Sequence, residues 1–105
     1  MGSEADAHMF SCWETLFVIR DAMEAASYEG PDDRQAFVEA IEAMTTMPLS
    51  REHPQGDKVF NGKTHQVFGH QFISKVEGMT LKVAHTTSIE DGLYPDEVDY
   101  TTMPF

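Results

Sequence analysis

The sequence contains one cysteine, Cys12, so it can form no intrachain disulfide and offers no cysteine pair to a zinc site. Positive charge is scarce: seven Lys and Arg stand against 18 Asp and Glu, for a net charge of -11. Nucleic acids and anionic membranes are gripped by basic patches that displace counterions, so neither is an expected partner. The apolar stretch from Met9 to Ile19 is interrupted by Glu14. It falls short of the roughly 20 apolar residues a bilayer span needs, so no membrane insertion is expected. The lead-in from Met1 to His8 has no positive charge and does not read as a signal peptide. An exported parent protein would carry that signal upstream. Also missing are a Gly-x-Ser-x-Gly elbow, a phosphate loop and a dinucleotide fingerprint, so no enzymatic reading has positive support.

What remains is a chain of 105 residues, the size of one small domain, with 41% hydrophobic and 24% charged residues. Those fractions are globular rather than disordered. Residues 1–8 are polar and small and predict an irregular lead-in. Met9, Cys12, Trp13, Leu16, Phe17, Met23 and Ala26 then recur at helical spacing, with Arg20 interrupting the stripe. Phe10, Val18 and Ile19 add apolar surface outside it, so this helix requires partners on more than one side. Cys12 is expected to be a buried structural thiol. Gly30-Pro31 breaks the chain, and Pro31, Asp32 and Asp33 suit the start of a second helix. Phe37, Ala40, Ile41 and Met44 continue it, and Pro48 lies beyond its end.

After a loop over 50–57 the period changes to two. Lys58 to Phe60 predicts a short strand closed by the turn pair Asn61-Gly62. Val67 to Val76 reads as one strand, Glu77-Gly78 as a turn, and Met79 to Thr86 as a half-buried partner strand. The acidic tail from 88 to 105 is expected to lie extended over other elements. The fold class is therefore α+β: two helices, a short strand, an antiparallel hairpin and an extended tail. A sheet this small is marginal by itself.

Five histidines, several acidic pairs and the aromatics Phe10, Trp13 and Phe17 are the candidates for a site; the aromatics could line a pocket, although their helical spacing favours the core. His65 and His70 are five apart and His8, His53 and His85 are remote, so no zinc template fits. Asp32-Asp33 and Glu90-Asp91 are adjacent in sequence and better explained by a helix start and a turn. No metal and no cofactor are expected.

The stretch from Trp13 to Ala26 resembles a helix of the type I periplasmic solute-binding proteins, the receptors of ABC importers for branched-chain amino acids, amides and urea. Trp13 stands at the usual tyrosine, Ala22 and Ala26 at the usual alanines, and Ser27 where glycine is common. Pro54 to Phe60 followed by Asn61 to His65 is similar to the family's proline-x-glycine, strand, turn and histidine. Phe72 to Gly78 followed by Leu81 to Val83 resembles its closing strands, and Tyr94-Pro95 its amide branch.

The resemblance implies that residues 1–105 are a single partial domain, the C-terminal portion of a two-lobed α/β fold around the second lobe and hinge. It implies a periplasmic receptor that closes on a small polar ligand, an amino acid or amide, and delivers it to an ABC permease. His8, five before Trp13, and Phe10 are the implied ligand-facing residues. The isolated chain is expected to bind no ligand, because the cleft needs both lobes, and to self-associate through its apolar faces. The alternative is a stand-alone small acidic interaction domain with those faces satisfied internally.

Overall fold

The computed structural model describes residues 7–104. The order is α1 (Ala7–Ala25), a 3-10 turn (Pro31–Asp33), α2 (Arg34–Glu42), β1 (Thr46–Met47), β2 (Lys58–Asn61), β3 (Gln66–Gly69), β4 (Gln71–Glu77), β5 (Thr80–Thr87), α3 (Ile89–Gly92) and a second 3-10 turn (Tyr100–Thr102). The α+β class holds. The strands form two separate antiparallel sheets, one in the order β1-β2-β3 and one consisting of β4 and β5.

Helix α1 begins at Ala7, so His8 belongs to the helix rather than to the lead-in, most of which lies outside the described residues. The helix is oriented against the expectation from its apolar stripe. Its buried residues are Glu14 and Ala22, while Met9, Trp13, Leu16 and Met23 lie exposed. Cys12 is exposed as well, which corrects the buried-thiol expectation. Glu14 tolerates burial because three donors meet it. Its Oε1 accepts from the Gln55 backbone N–H at 2.8 Å, and its Oε2 from the Gln55 side chain at 3.4 Å. The Lys58 ammonium completes the set at 2.6 Å. A charge so compensated can sit at the helix–sheet contact, and the apolar stripe is left facing outward.

At the C-terminal end of α1, Tyr28 packs edge-on against Phe37 of α2 with ring centroids 5.8 Å apart. The Asp33 carboxylate accepts from the backbone N–H groups of Glu29 at 2.8 Å and Gly30 at 3.2 Å, and so holds the break between the helices.

The loop that closes β2 onto β3 is longer than a two-residue turn. Asn61 Oδ1 accepts from Lys63 N at 3.0 Å and Thr64 N at 3.4 Å, and His65 takes a left-handed conformation with φ 56°. Gly62 sits against the backbone of Glu42, where a Cβ would collide with the Glu42 carbonyl oxygen. The tail, which contains α3 and a 3-10 turn, lies over this sheet. Ser88 caps α3 by accepting from Asp91 N at 3.2 Å. Tyr94 meets Phe68 edge-on at 5.0 Å, Asp96 accepts from the Asn61 side chain at 2.6 Å, and Tyr100 N donates to Lys63 O at 2.8 Å.

The single strand expected from Val67 to Val76 is divided. Residues 66–69 pair with β2 and residues 71–77 with β5, so the chain changes sheets at His70. The hairpin turn at Glu77-Gly78 is as read, with Gly78 at φ 64°. Strand β5 is exposed rather than half-buried from Thr80 to Thr86, as is all of β4. Pairing of Ser74 with Val83 and Val76 with Leu81 puts those residues beside Phe72 on one face. Lys75, Lys82 and Glu77 fall on the other, where Lys82 bonds Glu77 at 3.0 Å. An irregularity between Ile73 and Ser74 moves His85 opposite Ile73, away from the Leu81–Val83 face.

Little of the molecule is interior. Among the described residues the buried hydrophobic side chains are Ala22, Met47 and Phe68. The chain exposes 8148 Å², where a compact monomer of 11.8 kDa exposes about 5,900 Å². Its radius of gyration is 16.7 Å, against about 13 Å for a compact chain of this length.

Candidate functional site

The N-terminal half of α1 and the loop over 50–57 enclose a shallow groove of about 340 Å³ lined by Met9, Phe10, Trp13, Arg51 and Pro54. Three interactions hold it. Trp13 Nε1 donates to the Arg51 carbonyl at 3.3 Å. The Trp13 ring meets Phe17 edge-on, centroid to centroid 5.2 Å. The Gln55 side chain donates to Ser11 Oγ at 3.1 Å. The loop is further fastened by Arg20, whose guanidinium donates to both Glu52 oxygens at 3.1 and 2.9 Å and to Asp21. Those hydrogen bonds, Glu52's first, hold the Arg20 guanidinium well above its ordinary range. It lies over the Phe17 ring at 5.0 Å.

Phe10, one of the two residues singled out from the sequence, is a wall of this groove. His8 is helical and exposed, two residues before it, and is not among the lining side chains. The sequence reading weighed Trp13 as a pocket wall but favoured the core for it, and it missed Arg51. The signal for Arg51 was weak: a cation in a Pro-containing loop gives no hint that it folds onto an aromatic helix start.

The groove is lined almost wholly by apolar atoms. Arg51, which borders it, has no ion-pair partner among the described residues. Such a surface can stack against an apolar group. It holds no nucleophile beside a base. No group of three or more His, Cys, Asp or Glu side chains is placed to hold a metal ion among the described residues. The remaining histidines are dispersed. His65 bonds Glu42 at 2.8 Å and stacks on Tyr100 at 5.0 Å, joining α2, the β2–β3 loop and the tail. His70 contacts the Thr87 carbonyl at 3.2 Å. His53 is buried with Nδ1 unbonded. No helix among the described residues is long and apolar enough to cross a membrane. The chain matches no protein-family model, no curated protein and no solved structure.

Proposed function

We propose that this chain is the C-terminal portion of a two-lobed solute receptor that serves an ABC importer in the periplasm. The observation that carries the reading is the scarcity of interior. The chain exposes roughly 2,200 Å² more than a compact monomer of its mass. The excess includes two apolar faces, the outer side of α1 and the Phe72–Val76–Leu81–Val83 face of the β4–β5 hairpin. Surfaces of that kind belong to a larger folded body. The order of motifs in Trp13–Ala26, Pro54–His65 and Phe72–Val83, which resembles that of the type I periplasmic solute-binding proteins, supports a receptor as that body.

In this reading the groove at Phe10, Trp13 and Arg51 is one wall of the cleft. It takes a small polar solute, an amino acid or an amide, by stacking and by a guanidinium hydrogen bond, and the opposing lobe completes the site. Function comes from lobe closure that shifts a population rather than from catalysis, and a permease receives the solute. The chain by itself binds no solute. The test is calorimetry of the longer native protein with amino acids and amides, wild type against Phe10→Ala and Arg51→Ala. Affinity weakened at least tenfold by either substitution supports the reading. Unchanged affinity in both variants removes the groove from the site. The open faces weigh against the alternative of a self-sufficient acidic interaction domain, which would have covered them internally.

A further inference from the structure

Asn61 is the single asparagine of the chain, and Gly62 follows it. An asparagine before glycine is open to attack by the next backbone nitrogen, because glycine has no side chain to shield that N–H. The fold holds this carboxamide at both ends. Its Oδ1 accepts from the N–H groups of Lys63 and Thr64 at 3.0 and 3.4 Å, and its Nδ2 donates to Asp96 Oδ1 at 2.6 Å. Two N–H donors on a carbonyl oxygen stabilise the negative charge that the oxygen gains when its carbon is attacked. Asn61 is only half-buried, so water reaches it.

We propose that Asn61 is a self-modification site, and that its conversion to a carboxylate releases the C-terminal tail. The Gly62 nitrogen attacks Asn61 Cγ, the Cγ–Nδ2 bond breaks, and Nδ2 leaves as ammonia with the proton given up by Gly62. Water opens the resulting cyclic imide at one carbonyl to give aspartate, or at the other to give isoaspartate. No oxidation state changes, and water is the one co-reactant.

The consequence follows from the two ends of the side chain. Aspartate keeps the oxygen that accepts from Lys63 N and Thr64 N, so the internal bonds of the loop survive. It loses the donors, and its carboxylate then faces that of Asp96 across the former 2.6 Å contact. Like charges at that range repel. The Lys63 ammonium, 3.8 Å from Asp96, is largely exposed and offsets only part of the repulsion. Asp96 lies between Tyr94, which packs on Phe68, and Tyr100, whose N–H bonds Lys63 O, so its loss frees the middle of the tail. Leu93, Asp96 and Thr101 of the tail close a cavity of about 520 Å³ against Val59, Phe60 and Phe68, and the cavity opens as they leave. Isoaspartate adds a backbone methylene just before Gly62, which already sits tight against Glu42. The inference does not rest on the receptor reading.

The experiment incubates the folded 105-residue chain beside the free peptide of residues 58–65 at neutral pH and follows both by intact mass and peptide mapping. Asn61 in the chain should convert at least as fast as in the peptide. Asn61→Asp, which makes the product directly, should exchange the Tyr100 amide several-fold faster than wild type while the β4–β5 amides keep their rates. Asn61→Asp combined with Asp96→Asn restores a donor and an acceptor across the contact and should return the Tyr100 amide to its wild-type rate. Slower conversion in the chain than in the peptide would overturn the proposal. So would an unchanged Tyr100 rate in Asn61→Asp, or a double variant that exchanges as fast as Asn61→Asp. Acceleration shared equally by the β4–β5 amides would overturn it too, because the whole fold and not the tail would then have been lost.

Discussion

Replacing Glu14 by Ala is the perturbation that bears most on how the helix layer is attached to the sheet. Glu14 is 5% exposed and receives Gln55 N–H at 2.8 Å and Lys58 Nζ at 2.6 Å. Its removal leaves the Lys58 ammonium, whose side chain is 14% exposed, without its anion and frees a partly buried backbone N–H. Breaking one side of a buried pair costs about 3–5 kcal/mol. Water reaches this pair in part, so the lower end, about 3 kcal/mol, is the expected loss. Native domains have only about 5–15 kcal/mol in total, and this one buries little, so Glu14→Ala should be largely unfolded at moderate urea. Trp13 is the single tryptophan and bonds the same loop through Arg51 O, so its fluorescence reports the event. Urea titrations at one fixed chain concentration would compare wild type, Glu14→Ala and Lys58→Met. Glu77→Ala is the control, because its pairs with Lys75 and Lys82 lie on the exposed hairpin and should be worth under about 1 kcal/mol. A Glu14→Ala midpoint equal to that of Glu77→Ala would refute the claim that a buried ion pair fastens α1.

Three further outcomes are expected. Gly62→Ala should destabilise the fold by about 1–3 kcal/mol, since the new methyl runs into the Glu42 carbonyl oxygen; a circular-dichroism melt that does not move would contradict the close approach. His65→Ala removes the ring stacked on Tyr100 and bonded to Glu42, so hydrogen exchange at the Tyr100 amide, which donates to Lys63 O, should accelerate at least several-fold while β4–β5 amides keep their rates. In the receptor proposed above, His8→Ala should weaken solute binding less than Phe10→Ala, because Phe10 lines the groove and His8 does not; the reverse order by calorimetry would return the ligand contact to His8.

The parts of the fold that were legible in the sequence are those whose cause is local. Helical spacing from Met9 onward marks α1, Gly30-Pro31 marks its separation from α2, and Glu77-Gly78 marks the hairpin turn because Gly78 takes a positive φ. What could not be read there depends on partners far along the chain. Periodicity shows that α1 has an apolar side but not which side is inward. Glu14 interrupts the pattern, yet it is the buried residue because Gln55 and Lys58, more than 40 positions away, satisfy it. The division of 67–76 into two strands follows from pairing β3 with β2 and β4 with β5, and only Gly69 hinted at it. The two-residue strand β1 owes its existence to Lys58 and Val59 across from it. The same limit applied to the groove: Phe10 was singled out, but Arg51 reaches it only through the fold.

The account's central claim is that these 105 residues are one portion of a larger receptor. The most direct measurement is the intact mass of the native product in its source cells, captured with an antibody against the exposed β4–β5 hairpin. The account predicts a product several times larger than 11.8 kDa, recovered from the cell envelope. A native product of 11.8 kDa would contradict it and assign the open faces to assembly of the small chain with itself or another protein.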